Sequence, residues 1–154
     1  MKIRFWGTRG SMPVSGHKYA RYGGNTSCVE IRPSNKELLI LDSGTGMKEL
    51  GDQIIKENNN KNENLEGKIL NTHYHLDHIK GIGFHKPTYS PNNNFTFYGP
   101  GEKDEDINNI MNGVFQTPYF QVSFNNMGGI KKTKAVKDLE SIVTSGSKID
   151  VIEG

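Results

Sequence analysis

Three of the chain's five histidines fall within six residues, in Thr72-His73-Tyr74-His75-Leu76-Asp77-His78, with one carboxylate among them. Lys68-Ile69-Leu70-Asn71 before them reads as a short strand. Ile79-Lys80-Gly81-Ile82-Gly83-Phe84 after them reads as a short helix or turn. In an extended segment, residues two apart share a face. His73 and His75 therefore point the same way, with Cα atoms about 6.5–7 Å apart. Two imidazoles at that separation can lean toward one ion at about 2.0–2.1 Å from each nitrogen. Asp77 and His78 follow at the bend and can face a second ion beside the first. An expression tag is a terminal, uninterrupted histidine run, and this cluster is internal. The plain alternative is a polar loop in which histidines cluster without a metal.

The elements that must hold this segment can be read around it. Glu37-Leu38-Leu39-Ile40-Leu41 is a nearly continuous apolar run, as expected of a strand buried on both faces. It ends at Asp42-Ser43-Gly44-Thr45-Gly46. A helix follows from Met47 to about Asn58, with Met47, Leu50, Ile54 and Ile55 on one face. Asp42 is placed to be the N-cap of that helix. At the N-terminus, Lys2-Ile3-Arg4-Phe5-Trp6 alternates polar and apolar and reads as a strand with Ile3 and Phe5 inward. Gly7-Thr8-Arg9-Gly10-Ser11-Met12-Pro13 breaks it, as an ordinary turn or as a glycine loop near the site. Ser27-Cys28-Val29-Glu30-Ile31 is a second strand after a Gly23-Gly24-Asn25-Thr26 turn, and Pro33-Ser34-Asn35-Lys36 a hairpin loop.

Downstream, Phe95-Thr96-Phe97-Tyr98 is a strand, closed by Gly99-Pro100-Gly101. Glu102 to about Gly113 is an amphipathic helix with Ile107, Ile110 and Met111 on one side and an acidic start that suits a helix N-terminus. Val114 to Phe124 is rich in aromatics, either a substrate wall or a packed lid or dimer contact. Lys131 to Glu140 is a charged segment, and Lys148 to Ile152 a strand. His17 reads as a solvated loop residue and His85 as a surface one. Cys28 reads as a buried strand residue without an activating partner.

Composition sets outer bounds. A chain of 154 residues is most simply one domain, residues 1–154. Hydrophobic content is 33% and mean hydropathy −0.65, lowered by asparagine-rich connections such as Asn58-Asn59-Asn60-Lys61-Asn62-Glu63-Asn64. A net charge of +2, with acids and bases well mixed, makes no strong case for nucleic acid or an anionic membrane as partner. The single cysteine excludes an internal disulfide and fits a reducing compartment. No stretch approaches the roughly 20 apolar residues of a membrane span. The expected location is the cytoplasm.

The His73-x-His75-x-Asp77-His78 pattern resembles the signature of the metallo-β-lactamase superfamily of metal-dependent hydrolases. The Gly7-Thr8-x-Gly10-Ser11-x-Pro13 loop, the run Arg21-Tyr22-Gly23-Gly24-Asn25-Thr26-Ser27-Cys28 and the Tyr98-Gly99-Pro100 strand end are similar to its phosphodiesterase-like branch, which includes phosphoribosyl cyclic phosphodiesterase-like and tRNA 3′-processing members. The resemblance implies an α+β fold, an αββα sandwich of which this chain would supply the N-terminal half to two-thirds, a domain incomplete at its C-terminus. It implies that His73, His75, Asp77 and His78 ligate metal, that Asp77 also helps orient a hydroxide, and that Asp42 supports the metal loop without ligating. Two Zn²⁺ ions are the expected cofactor, with Mn²⁺ the alternative. The implied substrate is a phosphodiester-type small molecule or nucleotide, hydrolysed by metal-activated hydroxide. A tRNA 3′-end nuclease shares the motif but calls for a basic RNA-binding surface.

Relatives add a further histidine, a bridging aspartate and a last histidine from later loops, and this chain has no histidine after His85. A homo-oligomer or a complementing partner is therefore expected to cover the inner apolar face of the half-sandwich. A non-catalytic half-domain that binds metal or a protein partner is the second reading.

Overall fold

A computed structural model describes residues 1–33, 37–58, 63–144 and 147–152. Residues 34–36 of the hairpin loop expected at Pro33–Lys36 and most of the asparagine-rich loop after Asn58 lie outside the described residues. Six strands form one sheet in sequence order: β1 (Lys2–Gly7), β2 (Cys28–Arg32), β3 (Leu38–Leu41), β4 (Glu66–Leu70), β5 (Asn94–Pro100) and β6 (Ile130–Val136). The first three run antiparallel to one another, whereas β3, β4, β5 and β6 are parallel. Parallel neighbours need a crossover, and helices supply it. The helix α1 (Gly46–Asn58) joins β3 to β4, and α3 (Asp104–Val114) joins β5 to β6. Between β4 and β5 lie the short helix α2 (Leu76–Ile79) and two 3-10 turns, Lys80–Phe84 and Lys86–Tyr89. A separate hairpin, β7 (Ser141–Val143) with β8 (Lys148–Asp150), ends the described chain. No helix among the described residues is long and apolar enough to cross a membrane.

The core lies on the helix side of the sheet. Alternate residues of the central strands, Leu38, Ile40, Ile69, Phe95 and Phe97, meet Met47, Leu50 and Ile54 of α1 and Ile107 and Met111 of α3, all nearly inaccessible to solvent. The apolar stripe of each helix faces this sheet, as amphipathic spacing requires. Ile110, expected with Ile107 and Met111, stays partly exposed at 39%.

The opposite face is also apolar. The registers Ile3–Ile31, Phe5–Val29, Ile31–Leu39, Val29–Leu41 and Leu41–Leu70 put these side chains on one surface. This corrects the expected facing of β1. Ile3 is 50% exposed and Phe5 67%, while Arg4 and Trp6 turn to the helix side. There the Trp6 indole N–H donates to Glu30 Oε2 at 2.9 Å and Arg4 approaches the same carboxylate at 3.7 Å.

His85 also departs from expectation. It is fully buried, not on the surface. Gly51 of α1 and Phe95 of β5 close over it: a Cβ on Gly51 would lie 2.7 Å from the imidazole Cδ2, and the Phe95 ring meets it edge-on at 5.8 Å.

Candidate metal centre

Ligands in parallel sheets gather beyond the carboxyl ends of the strands. Here the ends of β3 and β4 deliver Asp42 and the Thr72–His78 segment side by side. Their contact is close because two glycines allow it. A Cβ on Gly81 would lie 2.9 Å from Ser43 O and would collide with Gly44 O, while one on Gly44 would lie 2.6 Å from Ser27 O. Ser43 N donates to His78 O at 2.8 Å, and Gly81 N returns a bond to Ser43 O at 2.8 Å. Asn71, buried just past β4, donates from its amide to His78 O at 2.7 Å and accepts from the Ser43 hydroxyl at 2.8 Å. The turn that carries the histidines is thus pinned to the loop after β3.

Asp42 does not cap α1, which begins four residues later at Gly46. Its carboxylate turns to the histidine segment instead. Oδ1 accepts from Thr72 N at 3.0 Å and from the Thr72 hydroxyl at 2.9 Å. Oδ2 accepts from the Ser27 hydroxyl at 3.0 Å. The same Oδ2 lies 2.8 Å from His78 Nδ1, off the line of a hydrogen bond, so this contact is an electrostatic approach only. Asp42 adopts φ 57°, the left-handed region that short polar side chains tolerate best.

The four motif side chains fall into two pairs. His73 Nε2 lies 3.1 Å from His75 Nδ1. Asp77 Oδ2 lies 3.3 Å from His78 Nε2. The rings of His73 and His78 are 4.1 Å apart between centroids, so the pairs adjoin. Two donors at 2.0–2.1 Å from one tetrahedral zinc are about 3.3–3.4 Å apart. Both pairs are close to that spacing, and imidazole with carboxylate suits zinc or manganese. The donor types and spacings therefore fit two ions, with two donors offered to each. Among the described residues, no group of three or more His, Cys, Asp or Glu is arranged to hold one ion.

The electrostatics follow from these neighbours. Burial lowers the His73 imidazole below its ordinary range, helped by His78 and His75 nearby. A neutral imidazole is the form that ligates metal. Burial acts to raise the Asp77 carboxyl, but the Ser11 and Asp77 backbone N–H groups and the adjacent His78 and His73 outweigh it, and the net shift is downward. Cys28 is held as an unreactive thiol, pushed up by burial and by the charges of Asp42 and Glu30.

One participant was not singled out in the sequence. Ser11 donates its backbone N–H to Asp77 Oδ2 at 2.7 Å. The Gly7–Pro13 loop, read as either turn or site loop, thereby lies on the motif. Asn71 and Ser43 were likewise unassigned. The only signal for them was their position at strand ends. His17 sits in an exposed 3-10 turn, His17–Tyr19.

The family model of the metallo-beta-lactamase superfamily matches residues 21–92, which include the whole motif. A search of curated proteins finds no match. Among solved structures, the chain is similar to unliganded yeast PDE1, with a TM-score of 0.56 and 16% identity, over 93% of this chain and 52% of that one. It is also similar to a Thermotoga maritima structure described as a putative metallo-beta-lactamase, with a TM-score of 0.47 and 17% identity over 92% and 61% of the two chains. A third is the metallo-beta-lactamase SMB-1 with mercaptoacetic acid, at 0.46 and 24% over 84% and 47%. The chain spans about half the length of the yeast structure. The fold is the metallo-β-lactamase-like α+β arrangement that the motif implied.

Proposed function

We propose that this chain, which is similar to the metallo-β-lactamase superfamily over residues 21–92, carries the histidine-bearing part of a metal-dependent hydrolase that acts on phosphodiester bonds. The observation that supports it is the pair of donor spacings, 3.1 and 3.3 Å, set side by side at the ends of β3 and β4. His73 and His75 hold one metal, and Asp77 and His78 the other, zinc before manganese. When bound, such ions supply Lewis-acid polarisation and hydroxide at neutral pH. The protein's own part is positional. Asp42 and Thr72 fix the start of the motif, and Asn71 and Ser43 fix its end. Asp77, kept ionised and tied to Ser11, orients the nucleophile. The preference for phosphodiesters rests on the glycine loop at Gly7–Ser11, which docks on Asp77 through Ser11.

The test is metal content and turnover on the same sample. The purified chain is expected to carry zinc or manganese, and the His73→Ala, His75→Ala double variant to lose it. Hydrolysis of bis(p-nitrophenyl) phosphate should fall with it. Unchanged stoichiometry in the double variant would sink the assignment. A second reading, a half-domain that binds metal or a partner without turnover, is favoured by the two-donor count per ion among the described residues. Metal uptake with no hydrolysis would select it.

A further inference from the structure

An open apolar groove of about 580 Å³ borders the metal centre. It runs between α2 with its following turn and the end of α3 with the loop behind it. Its volume falls in the roughly 300–1,000 Å³ range of small-molecule sites. Leu76, the residue between His75 and Asp77, lines its near end and is 59% exposed. Phe84, Phe115 and Phe120 form an aromatic wall: Phe120 meets Phe84 at 5.6 Å and Phe115 at 5.2 Å, both edge to face. Phe120 lies against the turn because residue 83 is glycine; a Cβ there would lie 2.6 Å from its Cζ.

The rim carries a single charge. Lys80 lines the groove four residues after Leu76, on the same side of the short helix. It is exposed, and among the described residues it makes no ion pair or side-chain hydrogen bond. No acidic residue lines the groove. An aromatic wall with one uncompensated cation at its edge complements a planar apolar group joined to an anion.

We propose that this groove binds the aromatic portion of an organic phosphate ester, with the phosphoryl group directed past Leu76 toward His75 and Asp77 and Lys80 on an anionic oxygen. The proposal rests on the metal-hydrolase reading and adds to it the class of ester. Gly113 offers a clean test. It lines the groove near the end of α3, and a Cβ there meets nothing within 4 Å. Gly113→Trp should therefore fill the groove without disturbing the fold, and Lys80→Gln should remove only the charge.

Calorimetric titration with methyl 1-naphthyl phosphate and with dimethyl phosphate, both phosphodiesters, separates the contributions. The naphthyl ester is expected to bind at least tenfold more tightly than the dimethyl ester. Gly113→Trp should abolish that preference while metal content stays constant, and Lys80→Gln should weaken both esters together. A metal-loaded protein with equal affinity for the two esters overturns the groove assignment, and so does a naphthyl preference that survives Gly113→Trp. Self-association removed by Gly113→Trp, without an aryl preference, would instead give the groove to a second copy and overturn the proposal. A protein that takes up no metal overturns the hydrolase reading itself.

Discussion

Asp42 and His85 show what single side chains contribute here. Asp42 satisfies three donors, the Ser27 hydroxyl just before β2 and the Thr72 amide and hydroxyl just past β4, and lies beside His78. Truncation strands those groups and frees the start of the motif. Asp42→Ala should lower metal affinity about 10–100-fold and cost about 1–3 kcal/mol in stability, measured by metal titration and chemical denaturation. His85 is different, because its burial serves no described bond: neither ring nitrogen has a hydrogen-bond partner among the described residues. Burial pushes its pKa down to about 3, against a small opposing pull from Asp52, which is itself paired with Lys86 and Lys48. The unfolded chain takes up this proton near pH 6.5 and the folded protein only near pH 3. Stability is therefore lost as pH falls through that window, at up to about 1.4 kcal/mol per pH unit. Denaturation between pH 7 and 4 should show a shallower pH slope in His85→Met than in the parent chain. The motif was legible because its spacing is rare. The burial of His85 was not, since it depends on Gly51 and Phe95, which lie far away in sequence.

Among the secondary elements, continuous or periodic apolar runs announced their own places. Leu38 and Ile40 of β3, Met47, Leu50 and Ile54 of α1, and Phe95 and Phe97 of β5 reached the core, whereas Ile55 of the expected α1 stripe did not, and observed boundaries differ from the expected ones by a residue or two. Strand β1 failed for a physical reason. Period-two alternation separates two faces but does not say which one meets the helices. Arg4 and Trp6 take the helix side because Glu30 waits there to bind them. Ser43, Asn71 and Ser11 act through backbone and amide contacts between elements distant in sequence, a pattern no local window contains. The contact between the loop after β3 and the motif turn is the element-level weak point. Gly81→Ala forces a methyl group into the Gly44 carbonyl. It should cost about 2 kcal/mol or more and loosen metal binding, read as a joint drop in melting temperature and zinc stoichiometry. A melting temperature equal to the parent's would refute the tight-contact argument.

The whole molecule has one covered sheet face and one open one. Helices α1 and α3 lie on the first. On the second, Ile3 and Phe5 stand exposed beside Val29, Ile31 and Leu41, and the β7–β8 hairpin leaves a groove of about 870 Å³ against Leu41, Leu70 and Tyr98. Contiguous apolar surface of this kind marks an interaction site. Sedimentation of the chain at micromolar concentration should reveal self-association, and replacing Phe5 with Lys should reduce it. A monodisperse monomer under those conditions would reject the idea.

The bond from Ser11 to Asp77 joins residues 66 positions apart. Considered as polymer physics, it closes a loop whose length-dependent entropy cost is about 4 kcal/mol. The local segment Thr72–His78 cannot meet that cost alone; β1, β2, β3 and β4 must already be paired. The orientation of Asp77 is therefore a product of the finished sheet, and it marks completion of the fold more faithfully than the histidines, whose spacing is local.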